Sequence, residues 1–292
     1  MSPSQHRAQH RAQPASQVGA QPGAHAAVQP TAQPGVRARR AGFGRDLVSV
    51  AIRALRSIPR DLESVVPALL IPVFFFAVNI GALEPVAETT GVGDFRAFQL
   101  PVAIIFAVTG VSRASGLVTD ISSGYFDRLL LTPMRRSALL LGLMVADLVL
   151  VIALCVPVLV LGLLVGVEFV TGVPGALGFV LISGLWGLAF TGFPYAIALR
   201  TGSPGAVNPS FLLFFPFAFL TTSFLPQEAL TGWWAAIADY NPLTYLLASL
   251  RSLITVGWVW SDLRPGLLAI AGVGAVSFTL AFTALRGRVS RG

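Results

Sequence analysis

The chain has 292 residues, 54% of them hydrophobic and only 11% charged, with a net charge of +7 and a mean hydropathy of +0.75. A water-soluble domain carries about 25% charged residues, so the composition argues against one and for a chain embedded in a bilayer. All 20 basic residues are arginine. Without lysine there is no phosphate-cradling loop of the kind that ends in that side chain, and no Ser-Lys nucleophilic pair.

Residues 1–40 are rich in Gln, Ala, Pro and Arg and contain no apolar run. They read as a disordered basic tail rather than a secretory signal peptide, which needs an apolar core. The three histidines, His6, His10 and His25, all fall here. The single cysteine, Cys155, sits in an apolar run and reads as a packing residue. The membrane body therefore has no Ser-His pair and no His/Cys zinc site, and no metal is expected.

Residues 43–58 predict an amphipathic helix. Phe43, Leu47, Val50, Ala51, Ala54, Leu55 and Ile58 recur at three and four and share a face. Arg45, Asp46, Arg53, Arg56 and Arg60 lie mostly off it. Such a helix lies along the membrane surface with its arginines near anionic headgroups, or packs on another subunit. Pro59 ends it.

Residues 62–288 read as an all-α membrane domain of six transmembrane helices. A span needs about 20 mostly apolar residues, and the stretches 65–83, 98–119, 138–165, 175–199, 207–225 and 265–285 qualify. Arg37, Arg39, Arg40, Arg45, Arg53, Arg56 and Arg60 precede the first span. Arg128, Arg135 and Arg136 lie between the second and third, Arg200 after the fourth, and Arg286, Arg288 and Arg291 after the sixth. The alternate loops are mainly acidic. By the positive-inside rule both termini are cytoplasmic, which places a multi-pass protein in the cytoplasmic membrane.

The loop between spans two and three reads SGYFDRLLLTPMRRSALLLG, Ser123 to Gly142. Phe126, Leu129 and Leu130 share a face, with Asp127 and Arg128 beside it, which predicts a short amphipathic helix over about 122–131. Thr132-Pro133 then breaks it and starts the next, Thr as N-cap and Pro at the first helical position. Arg135 and Arg136 follow in that first turn, the wrong end of the helix dipole for cations. Lipid phosphates or an acidic partner surface must favour them. A compact set of two helices, a rigid joint and paired charges suits a docking element better than a tether.

The stretch between spans five and six carries Trp233, Trp234, Trp258 and Trp260, residues that prefer the bilayer interface. Asn241-Pro242 starts a helix, with Asn as N-cap and Pro next. Residues 242–256 are expected as an interfacial or re-entrant helix on the outer leaflet.

The stretch GYFDRLLLTPMRRSALLLG resembles the cytoplasmic motif of ABC-2 type permeases, the membrane subunits of ATP-binding-cassette exporters. Its FDRLLLTP core and the following Ala146-Asp147-Leu148 are most similar to the daunorubicin-resistance permease group. FLPQEALTGWWAAIADYNPLTYLLASLRSL, Phe224 to Leu253, is similar to the family's second block and includes Asn241, Pro242, Tyr245 and Arg251. The likeness covers about residues 45–290. Ser122-Ser123-Gly124-Tyr125 stand where many relatives have an acidic-rich stretch. The resemblance implies a type V exporter-like fold, with Ser123–Leu131 as a coupling helix inserted into a separate ATPase. Ser123, Tyr125, Phe126, Asp127, Arg128, Leu129, Thr132, Pro133, Arg135 and Arg136 then belong to the coupling element. It further implies a permease homodimer with two ATPases. ATP and Mg sit on the partner, and no cofactor or nucleic acid is bound by this chain.

Two charges lie inside the predicted bilayer. Arg113 is about 10 Å and Asp147 about 15 Å deep at 1.5 Å per residue. A buried ionisable group is costly and normally paired, so an Arg113–Asp147 ion pair is expected, with snorkelling of Arg113 to the headgroups as the alternative. Ser183, Gly184, Gly187 and Gly192 permit close packing of span four. Phe211, Phe214, Phe215, Phe217, Phe219 and Phe224 make span five aromatic; they either line a path for a flat apolar molecule or face lipid and neighbouring helices. The function expected is a permease subunit, not itself an enzyme, exporting an amphipathic drug- or antibiotic-like molecule. The alternatives are a lipid or glycan exporter and an ATPase-independent secondary transporter.

Overall fold

The computed structural model describes residues 42–57, 62–87, 93–109, 111–131 and 135–289. The 1–40 tail and the Thr132-Pro133 joint lie outside the described residues. Every regular element among the described residues is helical. The helices are α1 (Phe43–Ser57), α2 (Leu62–Ala87), α3 (Phe95–Thr109), α4 (Ala114–Ser122), α5 (Tyr125–Leu130), α6 (Arg136–Leu164) and α7 (Gly172–Thr201). There follow α8 (Pro204–Val207), α9 (Phe214–Phe219), α10 (Gly232–Tyr240), α11 (Pro242–Thr255) and α12 (Trp260–Val289). Among the described residues, five segments are long and apolar enough to cross a membrane: Val65–Pro85, Phe95–Ser122, Arg136–Leu164, Gly172–Thr201 and Trp260–Val289.

The fifth predicted span, 207–225, is not a continuous helix. α8 passes into a 3-10 segment, Asn208–Leu213, then into α9, which ends at Phe219. Pro204, Pro209 and Pro216 each remove a backbone donor, and a proline ring clashes with the preceding turn. The second predicted span is also interrupted. Val111–Arg113 are non-helical, and the Ser112 hydroxyl accepts the Ala114 N–H at 3.2 Å. A serine that bonds its own backbone competes with the helical ladder.

Two apolar cores stack along the helices. One joins Leu100, Ile104 and Val108 of α3 to Val151 and Cys155 of α6, Phe179 and Trp186 of α7, and Leu246 and Leu250 of α11. The other joins Val50 of α1, Leu117 of α4, Phe126 of α5, Leu140 and Met144 of α6, Leu199 of α7 and Leu285 of α12. Glycines set the approach of the long helices. A Cβ at Gly187 of α7 would stand 2.8 Å from Val151, and one at Gly192 would stand 2.5 Å from the Ser277 backbone of α12. The small residues of span four therefore serve close packing. The aromatics of the fifth segment pack on neighbours: Phe106 of α3 meets Phe214, Phe215 and Phe219 edge-on at 5.3–6.2 Å.

α11 is a core helix. Leu243, Leu246, Leu247, Leu250, Leu253 and Ile254 are all buried, so of the two expected arrangements, interfacial or re-entrant, the burial fits the re-entrant one and not a helix laid on the bilayer interface. The exposed tryptophans Trp233, Trp258 and Trp260 gather at that end of the molecule. α2 leaves Val66, Leu70, Ile71 and Phe74 exposed.

Candidate functional site

α4 and α5 form one bent unit. Gly124 adopts φ +69° between them, a left-handed conformation that glycine takes without strain. Phe126 points inward and is 1% exposed. Asp127, Arg128 and Ser123 point outward, Tyr125 is 37% exposed and Leu131 is 88% exposed. Leu129 is half-buried, and Arg135 and Arg136 at the start of α6 are exposed. The predicted inward and outward faces are therefore present, one aromatic anchor under a charged rim. The helix is shorter than expected, because the turn at Gly124 separates it from α4.

α1 holds this unit in place. Arg53 bridges Asp120 of α4 at 2.8 Å, and its guanidinium lies 4.9 Å over the Tyr125 ring. Burial alone would lower the Arg53 guanidinium, but Asp120 outweighs it and holds it above its ordinary value. The bridge is partly exposed, so it contributes at most about 1 kcal/mol to stability and acts mainly to orient. Arg288 of α12 lies 6.0 Å over the Phe126 ring and donates to the Leu199 carbonyl at 3.4 Å. The apolar face of α1 is covered by α6 of its own chain through Val50, Ala51 and Ala54. Val48 and Ile52 face outward.

The α1–α6 contact depends on Gly142. A Cβ there would stand 2.7 Å from Val50 Cβ and 2.8 Å from the Leu47 carbonyl. Gly142→Val is expected to lift α1 off α6, since overpacking of a tight contact forces backbone shifts. Trypsin should then cut after Arg53 and Arg56 much faster than in the native protein. An unchanged cleavage rate would show that α1 is held by other contacts.

The expected Arg113–Asp147 ion pair does not form. Asp147 is fully buried, and its Oδ1 accepts the Arg113 backbone N–H at 2.9 Å. The Arg113 guanidinium turns instead to Ser57 Oγ of α1, at 2.6 Å. The pairing is real but runs through the backbone, because the break before α4 leaves that N–H without an intrahelical partner. Tyr195 of α7 and Ser112 lie against the same carboxylate. Among the described residues the ion pairs are Arg53–Asp120 and Arg96–Glu84. Arg96 also donates to the Val165 carbonyl at 2.8 Å.

At the opposite end, the second motif organises irregular backbone. Asn241 Oδ1 accepts the Leu243 N–H at 3.0 Å, and its Nδ2 donates to the Phe217 and Leu220 carbonyls at 2.7 and 2.9 Å. The Asn cap and Pro242 start are as expected. Tyr245 donates to the Asp239 carbonyl at 2.5 Å. Arg251 stacks 3.5 Å over the Phe98 ring. It donates to the Phe98 carbonyl at 3.2 Å, to Thr222 Oγ1 at 3.1 Å and to the Thr222 carbonyl at 2.8 Å. Gln99 of α3 donates to the Ser223 carbonyl at 3.2 Å. Asn241, Arg251 and Gln99 together satisfy the carbonyls freed where α9 ends. Beside them an open apolar cleft of about 370 Å³ runs between α9 and α10, lined by Phe217, Leu220, Ile237 and Tyr240.

Sequence reasoning missed Arg53, Ser57, Asp120, Gln99, Tyr195 and Arg288. Gln99 carried a signal, a polar amide in an otherwise apolar span, which is costly unless bonded. Arg53 and Asp120 stand 67 positions apart and nothing local joins them. Among the described residues no group of three or more His, Cys, Asp or Glu could hold a metal ion.

Residues 45–255 match the family described as ABC-2 type transporter. The chain is 28% identical over 243 residues to the daunorubicin resistance ABC transporter permease protein DrrB1 of Streptomyces coeruleorubidus, covering 82% of this chain and 84% of the relative. It is 26% identical over 228 residues to the probable doxorubicin resistance ABC transporter permease protein DrrC of two Mycobacterium tuberculosis strains, covering 77% of this chain and 82% of the relative. The matched region contains the α4–α5 unit, Asp147 and the Asn241–Arg251 block, and on this footing the chain belongs to the ABC-2 type transporter family.

Proposed function

We propose that this chain is the permease subunit of an ATP-driven exporter, and that α5 docks into a separate ATPase that binds ATP and Mg. The observation that carries this is the division of labour within six residues. Phe126 is buried and fixes the helix, whereas Asp127 and Arg128 are exposed. Charged side chains presented from a fixed mount are suited to recognition. Arg45, Arg56, Arg128, Arg135, Arg136, Arg200 and Arg286 gather toward the end that carries α5, so the positive-inside rule puts that end and both termini in the cytoplasm. ABC permeases work in pairs, and a homodimer with two ATPases is the expected assembly.

The relatives' names support an amphipathic, drug-like substrate moving outward. The apolar cleft beside Tyr240 has the size of a small-molecule site, which typically spans about 300–1,000 Å³. Binding energy there would come from apolar and aromatic contact rather than from charge.

The test is co-purification. Tagged permease is extracted gently from membranes of its own host, beside the Asp127→Ala/Arg128→Ala double variant. The native protein is expected to bring down a P-loop ATPase, and the variant to retain about tenfold less of it, as truncation of central contact residues typically costs. Solute movement by native protein with no ATPase attached would overturn the proposal in favour of a secondary transporter.

A further inference from the structure

The two apolar cores do not merge. On α6 the core that holds Phe126 reaches Ala146 and the one that holds Trp186 begins at Val151, with a small third cluster of Val111, Leu150 and Leu154 at the boundary. On α7 the same change falls between Phe190 and Tyr195, and on α12 between Ile270 and Ala281. Buried polar groups mark the seam. Ser277 of α12 donates to the Ala189 carbonyl of α7. Asp147 of α6 accepts the Arg113 N–H, and Tyr195 of α7 is fully buried against it. α4 belongs to the core that holds Phe126 and α3 to the one that holds Trp186. The chain passes from one to the other through the non-helical residues that Asp147 grips.

We propose that Asp147 is a positioning residue that locks the break between α3 and α4, so that a push on α4–α5 is carried into α6. The part that concerns an ATPase push rests on the docking reading above. The reasoning is geometric. A break left alone is a hinge, free to absorb displacement of α4 without passing it on. Holding the N–H of Arg113, the residue that precedes α4, from a different helix removes that freedom. Asp147 is fully buried, so its carboxylate is shielded from water, and leaving that acceptor unsatisfied is costly. Arg53–Asp120 and Arg113–Ser57 fasten α4 to α1, Ser115 donates to Asn208 Oδ1 after α8 at 2.9 Å, and Asp147 ties the break to α6. The role needs an acceptor at Oδ1 and not a charge.

The experiment uses full-length permease in lipid nanodiscs, without ATPase, on a Cys155→Ser background. Spin labels on cysteines replacing Thr119 of α4 and Val156 of α6, both exposed, report their separation by pulsed electron resonance. The native pair is expected to give a single narrow distance. Asp147→Asn, which keeps an acceptor oxygen, should preserve it, and Asp147→Leu should broaden it. Arg113→Ala keeps the backbone N–H and should behave as native. Arg113→Pro removes that N–H and should broaden the distance, with no further change when Asp147→Leu is added. If Asp147→Leu fails to accumulate in membranes, the Arg113 pair decides. A narrow distance in both Asp147→Leu and Arg113→Pro overturns the lock. Broadening in Asp147→Asn overturns it too, by assigning the role to charge. Because no ATPase is present, failure here is separate from failure of docking, which the co-purification reads.

Discussion

Phe126→Ala is expected to destabilise the α4–α5 unit by about 3–5 kcal/mol, the usual cost of removing a fully buried aromatic side chain. α5 has six residues, and isolated helices shorter than about 12 residues are marginal. Its position therefore depends on what its one buried ring touches. That ring packs into a core built from α1, α4, α6, α7 and α12, with Arg288 over its face. Removing it leaves a void in that core, which the surrounding side chains can close only in part. Two readouts should move together: the thermal midpoint of the purified permease falls, and the ATPase is lost on co-purification. The surface variant Asp127→Ala/Arg128→Ala should lose the ATPase with its midpoint unchanged. Phe126→Leu should fall between native and alanine. An unshifted midpoint in Phe126→Ala would mean that the ring is not the anchor.

The second large effect belongs to Arg251. Arg251→Ala removes three hydrogen bonds and a stacked guanidinium at once. Bonds made by a charged donor contribute about 1.5–3 kcal/mol each, and they are not additive, so a net loss of about 2–4 kcal/mol is expected. More than stability is at stake. The Thr222 carbonyl loses its donor, and the segment after α9 is released from the first turn of α3. Arg251→Lys should rescue little, because one ammonium cannot reproduce a planar fork aimed at several acceptors. Hydrogen exchange over 217–226 gives the direct readout, expected to speed up in both variants while α6 and α7 stay protected. Equal exchange in native and lysine proteins would show that charge alone suffices at this position.

The long elements were legible from apolar run length, since α2, α6, α7 and α12 leave the chain little alternative in a bilayer. The α1 pattern and the Asn241-Pro242 start were legible for local reasons, a 3.6-residue period and a side-chain cap. What hydropathy missed was interruption. The fifth span was apolar enough to count, yet its two prolines, Pro209 and Pro216, break it; apolarity measures solvent preference and says nothing about hydrogen-bond continuity. The same blindness hid the break before α4, where Ser112 and a distant Asp147 decide the conformation. At the candidate site, Phe126 inward and Asp127 and Arg128 outward followed from spacing alone. The partners did not: Arg53 with Asp120 and Arg288 with Phe126 come from segments far apart in sequence. The Arg113–Asp147 expectation found the right neighbours with the wrong atoms, because side-chain charge is visible in a sequence and a free backbone N–H is not.

Helix α3 is 15 residues long, which at 1.5 Å per residue makes about 22 Å. The hydrocarbon layer is about 30 Å thick. α3 therefore crosses only part of the oil, and α4 must complete the passage, which places the Ser112–Arg113 break below the headgroups. Solvation cannot satisfy irregular backbone at that depth, so each freed group needs a protein partner. The chain meets this demand on either side of the same short helix: Asp147 takes the Arg113 N–H in the break that follows it, and Gln99 and Arg251, at its start, bond the carbonyls of the segment after α9. A helix too short for its membrane thus carries its two polar supports as a condition of existing there, and shortening or thickening the surrounding lipid should stress those two points before any others.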